Sequence, residues 1–183
     1  MIGALIETQT ITTPDPTFLF TGLNGDVDGG YVWQGRVIST AASGFGLMLD
    51  INSTVPSDPD VAGGQGSLRF SNLAGSIAVI AGADIADTNP QTGSICQFFG
   101  IFIARSGAGM RLIHVQDSRI TPDATGTLPN LPLAPVRTGN IYWNDTATNV
   151  TSLRFQYRQN ANAAGSTENM DTSSSMTLWK LEF

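Results

Sequence analysis

Apolar and polar residues alternate along this chain in short runs separated by Gly, Pro, Asn and Asp. The clearest run is Val150-Thr-Ser-Leu-Arg-Phe-Gln-Tyr-Arg158. Strand side chains point to alternate faces, so Leu153, Phe155 and Tyr157 fall on one side and Arg154, Gln156 and Arg158 on the other. The same reading predicts strands over 31–39, 45–52, 68–71, 75–81, 95–104, 110–116, 139–143, 151–159 and 176–183. About nine strands with turn residues between them predict an all-β sandwich or barrel. No segment carries a sustained helical stripe. The segment 95–104 is apolar on both faces and reads as a central strand, with Gly100 marking a bulge or a close backbone approach. Phe99, Ile101, Leu153 and Phe155 are expected in the core. Ser106-Gly-Ala-Gly109 reads as a hairpin turn. Residues 53–66, 82–94 and 117–138 read as loops. The closing run Ser175-Met-Thr-Leu-Trp-Lys-Leu-Glu-Phe183 predicts a C-terminus tied into a sheet.

Length and composition narrow the class. The 183 residues fit a single domain, 1–183, with a sizeable core, and 1–22 reads as an N-terminal arm. Charged residues make up 13% of the chain, against roughly 25% in an ordinary soluble domain. Ser, Thr, Asn and Gly take their place. Lys180 is the sole lysine, and the other eight cations are arginines, which suit ion pairs at contacts. A net charge of −6 argues against a nucleic-acid partner, which needs clustered cations. The single cysteine, Cys96, excludes an internal disulfide and a Cys-based zinc site, and its apolar setting predicts burial. Met1-Ile-Gly-Ala-Leu-Ile-Glu7 lacks the basic and apolar regions of a signal peptide. No run approaches the roughly 20 apolar residues of a membrane helix. Synthesis in a cytoplasm and arrival at any outer surface by assembly are therefore expected.

Four features could carry chemistry. Asn24-Gly-Asp26-Val-Asp28-Gly29 places oxygen ligands at alternate positions, like the front of a calcium loop. Its twelfth position is Gly35 rather than a bidentate Glu, and a strand follows, which favours a plain turn. His114 stands near Asp117 and Ser118, yet nothing marks an activated serine, and one His with one Cys makes no conventional zinc site. No catalytic, metal or cofactor residue is therefore predicted, and the chain reads as a non-enzyme. The aromatics Tyr31, Trp33, Tyr142, Trp143, Tyr157 and Trp179 fit strand packing. Trp33 and Trp143 are also the candidates for stacking on a sugar. Asn52, Asn144 and Asn149 each begin an Asn-x-Thr triplet, expected by chance in a Thr- and Asn-rich chain.

Two segments carry a family resemblance. Leu23-Asn-Gly-Asp-Val-Asp-Gly-Gly-Tyr-Val-Trp-Gln-Gly-Arg36 resembles the opening of many virion structural proteins of tailed bacteriophages. Thr151-Ser-Leu-Arg-Phe155 with Met176-Thr-Leu-Trp-Lys-Leu181 resembles their closing strands. Together these cover about a seventh of the chain, and the segment 160–175 is longer than the compact Gly-Ser turn of the pattern. The resemblance implies a jelly-roll-like antiparallel sandwich on a phage particle, as a capsid decoration (cement) protein or a tail-tip component. It further implies a homotrimer in contact with other virion proteins such as the major capsid protein. Arg154 and Arg158, on one polar strand face, are the candidates for an intersubunit contact. The alternative is a tail-tip receptor-binding or carbohydrate-binding sandwich.

Overall fold

The alternating runs become twelve strands among the described residues of the computed structural model, which are 1–40, 45–52, 68–71, 77–80, 84–87, 95–107, 111–120, 136–143, 147–159 and 169–182. In chain order they are β1 (Ile2–Thr10), β2 (Thr17–Thr21), β3 (Gly30–Ile38), β4 (Phe45–Ile51), β5 (Leu68–Ser71), β6 (Ile77–Ile80), β7 (Asp84–Asp87), β8 (Ile95–Ile103), β9 (Arg111–Ile120), β10 (Val136–Trp143), β11 (Ser152–Gln159) and β12 (Ser175–Leu181). A single helical turn, α1 (Gly25–Asp28), joins β2 to β3.

The strands form an eight-stranded sheet in the order β1-β12-β3-β8-β9-β10-β5-β6 and a four-stranded sheet in the order β2-β11-β4-β7. Every pairing is antiparallel, and the two sheets pack as a sandwich. The connectivity identifies the architecture. β1-β12-β3-β8 faces β2-β11-β4-β7, and the chain crosses between them as β1, β2, β3, β4, then β7, β8, β11, β12. That is the double Greek-key order of a jelly roll. Two hairpin-like pairs are inserted, β5 with β6 between β4 and β7, and β9 with β10 between β8 and β11. They extend the larger sheet beyond β8.

The inner faces meet over one hydrophobic cluster. Phe18 and Phe20 of β2, Leu47 and Leu49 of β4, and Leu153, Phe155 and Tyr157 of β11 come from the small sheet. Trp33, Phe98, Phe102, Ile113 and Leu178 come from the large one. Trp33 meets Phe155 edge-on across the sheets, with centroids 5.2 Å apart, and Phe20 meets Phe155 at 6.1 Å. Gly100 lies opposite Trp33 in the register, and its missing side chain is what lets the indole lie against the β8 backbone.

Several expectations change. Leu153 and Phe155 are buried as expected, but Phe99 and Ile101 point to the outer face and are only half-buried. Phe98 and Phe102 fill the core in their place. In a strand otherwise apolar on both faces only Gln97 marks the outward parity, and the room that Trp33 needs at Gly100 agrees with it. β9 runs on to Ile120 because residues 117–120 pair with 95–98 of β8, so the expected loop over 117–138 is shorter at both ends. β7 lies within the expected loop 82–94. Residues 1–22, read as an arm, carry β1 and β2, with β1 on the edge of the large sheet.

β1 is largely exposed and bulged at Leu5 and Glu7, so no clean alternation marks it. The open edge of β2 is partly closed by a side chain. The Gln9 amide donates to the Leu19 carbonyl at 2.7 Å and accepts from the Leu19 N–H at 3.0 Å. That blocks one of the edge positions where a foreign strand could add.

Candidate functional site

The calcium-like segment is a structural turn. Asn24 caps α1 by accepting from the Val27 N–H, and Gly29, at φ 76°, ends it in a conformation that favours glycine. Asp26 accepts from the Ser106 N–H at 2.8 Å. Hydrogen bonds from Ser106 hold its carboxyl below the usual range. Asp28 accepts from Lys180 Nζ at 2.6 Å and from the Tyr31 hydroxyl at 2.9 Å. Burial opposes its ionisation, but the bonds from Lys180, Tyr31 and the Asn24 backbone outweigh it, and its pKa is lowered. Burial, then the neighbouring Asp28, push the Tyr31 phenol well above its ordinary value.

The same end of the sandwich engages two of the Asn-x-Thr residues. Asn149 donates to Asn24 Oδ1 at 3.2 Å and accepts from the Asp26 N–H at 3.1 Å. Asn52 Nδ2 donates to the Asn149 carbonyl at 2.8 Å, while its Oδ1 accepts from the Thr151 N–H at 2.7 Å. Asn144 lies outside the described residues. Among the described residues no group of three His, Cys, Asp or Glu side chains is arranged to hold a metal. Segment 23–36 and the closing strand β12 touch here, since Asp28 belongs to one and Lys180 to the other.

The remaining candidates separate. His114 points outward and meets Asn140 at 2.9 Å, whereas Asp117 is buried on the inner face, so strand parity keeps them apart. Cys96 is buried. Arg154 is ion-paired at 2.5 Å with Asp50, which is fully buried. Its guanidinium is thus engaged within the chain. Arg158 lies opposite Gly46 on β4, and its side chain is outside the described residues. Trp33 is corrected as a sugar contact, because a fully buried indole offers no face to a ligand. Trp143 ends β10, and its side chain is outside the described residues.

What remains open is the outer face of β12, β3, β8 and β9. The register aligns Thr177, Gln34, Phe99 and Gln116 in one cross-strand row, and Ser175, Arg36, Gln97 and Ser118 in the next. Thr8 of β1 extends the first row through a 3.0 Å hydroxyl contact with Thr177. Two shallow depressions of about 320 and 230 Å³ adjoin there, and Gln34 and Gln97 line both. Phe98, Phe99, Gln116, Ser118 and the largely buried Asp117 complete the first, and Gly35, Arg36, Ser175, Thr177 and Trp179 the second. Gln34, Gln97 and Gln116 are exposed. Three amides and several hydroxyls, with a half-buried Phe and Trp, form a rigid, nearly neutral surface. Sequence reading missed this row, although its signal was present: glutamines stand at outward strand positions where charged residues are usual.

Comparison of the chain with known protein families, with curated proteins and with solved structures gives no match.

Proposed function

We propose that the chain is a non-enzymatic structural protein of a bacteriophage particle, a capsid decoration (cement) protein that stabilises the particle by contact. The observation that carries this reading is the junction of the two phage-like segments. Asp28 and Lys180 join them in one ion pair, at one end of the jelly roll. The residues of the resemblance thereby hold the sandwich together rather than perform chemistry. The protein would be made in the host cytoplasm and function in the virion.

A homotrimer bound to neighbours such as the major capsid protein is part of the same proposal. The edge of β1 supports it, since Ile2 and Leu5 are 56% and 59% exposed beside unpaired backbone groups. This edge is a better intersubunit candidate than Arg154, which already neutralises Asp50. The test is addition of recombinant protein to particles lacking it. Co-sedimentation, with higher resistance to heat or osmotic shock, is expected. Ile2→Lys with Leu5→Lys should weaken both trimer and incorporation. Failure to bind the particles, or a monomer at all concentrations, would refute the respective claim.

One observation favours a second reading, the tail-tip receptor-binding or carbohydrate-binding module: the neutral outer face around Gln34 and Gln97. In that case particles without the protein keep their mechanical strength and lose attachment to cells.

A further inference from the structure

We propose that the outer face of β12, β3, β8 and β9 binds a neutral oligosaccharide, with Gln34, Gln97 and Gln116 reading hydroxyls and Trp179 and Phe99 receiving sugar rings. The proposal deepens the carbohydrate-binding reading above and rests on it. The cement role stands or falls separately, by particle binding.

The chemistry of the face selects the ligand. An amide side chain offers both donors and an acceptor, and a sugar hydroxyl is likewise both. None of the three glutamines makes a side-chain hydrogen bond to another described residue, so all these groups face solvent in the free protein. A strand backbone holds each of them at a fixed spacing. The backbone is fixed, so the ordering cost of binding is confined to the side-chain rotamers. The aromatic residues add what amides lack, an apolar surface for the C–H face of a sugar ring. Trp179 and Phe99 lie two strands apart, on β12 and β8, roughly 10 Å across the sheet. Two adjoining depressions at that separation suit a chain of sugars better than a single one.

Other ligand classes fit worse. Arg36 is the only formal charge in the two rows, and the chain carries −6 overall, which disfavours phosphate or uronate polymers. An extended peptide adds to sheet edges, where its backbone finds partners, rather than lying across a face.

Affinity electrophoresis in gels containing dextran, mannan, xyloglucan or galactan, with alginate as the anionic comparison, tests the proposal. Retardation by at least one neutral polymer is expected, together with a change in tryptophan fluorescence on titration with it. Trp179→Ala should weaken retardation tenfold or more. Because Trp179 is half-buried, the double variant Gln34→Ala, Gln97→Ala is the companion test. Both positions are exposed, so its melting temperature should match the parent while its binding falls at least tenfold. No retardation in any neutral polymer overturns the proposal, as does stronger retardation in alginate. Retardation that survives in the double variant also overturns it. So does a changed sedimentation mass in that variant, which would make this face a contact between protein copies.

Discussion

Replacing Gly100 by alanine is the sharpest test of the packing. A Cβ at residue 100 would lie 2.2 Å from Trp33 Cε2 and 2.3 Å from Cζ2. The indole has no free direction of retreat, being fully buried and held edge-on by Phe155 from the opposite sheet. Alanine itself favours an ordered strand over glycine by roughly 0.5–1 kcal/mol through the unfolded chain. Overpacking costs about 1–3 kcal/mol, and displacing Trp33 from Phe155 forfeits about 0.5–1.5 kcal/mol more. The clash wins, with a net loss of about 2–3 kcal/mol. For a domain of this size that lowers the melting temperature by roughly 4–12 °C. Urea unfolding followed by tryptophan fluorescence and far-UV circular dichroism measures it. Trp33→Leu provides the control, because a smaller side chain leaves room for the new methyl. In that background Gly100→Ala should cost under about 0.5 kcal/mol, a coupling of roughly 2 kcal/mol. Equal cost in both backgrounds, or a loss below about 0.5 kcal/mol in the parent, would refute the opposition of Trp33 and Gly100.

Phe98→Ala should cost about 3–5 kcal/mol and Phe99→Ala no more than about 1–2 kcal/mol, because only the first empties core volume; the reverse order would invert the parity of β8. Arg154→Ser should cost about 2–4 kcal/mol by stranding the buried Asp50 carboxylate, a figure reduced because Arg154 is 24% exposed, and a neutral result in urea unfolding would contradict the pairing. Asp28 has a folded pKa below its unfolded value, so its contribution is complete above about pH 5 and is lost only as pH falls below about 4 and through the lowered folded value. Asp28→Asn should therefore flatten the acid limb of melting temperature against pH, and an unchanged slope would exclude this group. Calcium or chelator should shift the melting temperature by less than a degree, since the Asn24, Asp26 and Asp28 side chains already accept internal donors. A rise of several degrees with calcium would mean that the native state binds it.

The sandwich was legible where alternation is strict. In β11, Leu153, Phe155 and Tyr157 all reach the core, because one face of that strand is buried and the other is not. It was illegible where both faces are alike. β8 is apolar on both faces except at Gln97, its one exposed residue and so a slight marker of parity, and the partner that fits its inward set, Trp33, lies more than sixty positions earlier in the chain. β1 fails in the opposite way, being a largely exposed, bulged edge in which Ile6 packs against the core but no regular alternation results. The candidate face was harder still. Gln34, Gln97 and Gln116 come from three strands and become neighbours only through the registers of β3 with β8 and β8 with β9. Each is legible locally only as a neutral residue at an outward strand position, and their adjacency is not.

The scarcity of charge acquires a physical meaning from where the charges lie. Among the described residues, the only lysine is paired with Asp28, and Arg154 is paired with Asp50. Arg111 is buried and donates to the Thr148 carbonyl at 2.6 Å, and Asp117 is buried on the inner side of β9. These contacts tie α1 to β12, β11 to β4, and β9 to the 147–151 segment. Their side chains do not face outward from β3 or β8. The outer rows are consequently left to amides, hydroxyls and two aromatics, with Arg36 the single charge among them. A surface meant only to stay solvated is served better by Lys and Glu, which repel neighbours and resist association. A face of neutral hydrogen-bonding groups does the opposite: it accepts a partner without desolvating charge, at a penalty small enough for modest contacts to overcome. The low charge of this chain thus leaves a face chemically suited to contact, the property on which both the subunit and the sugar proposals draw.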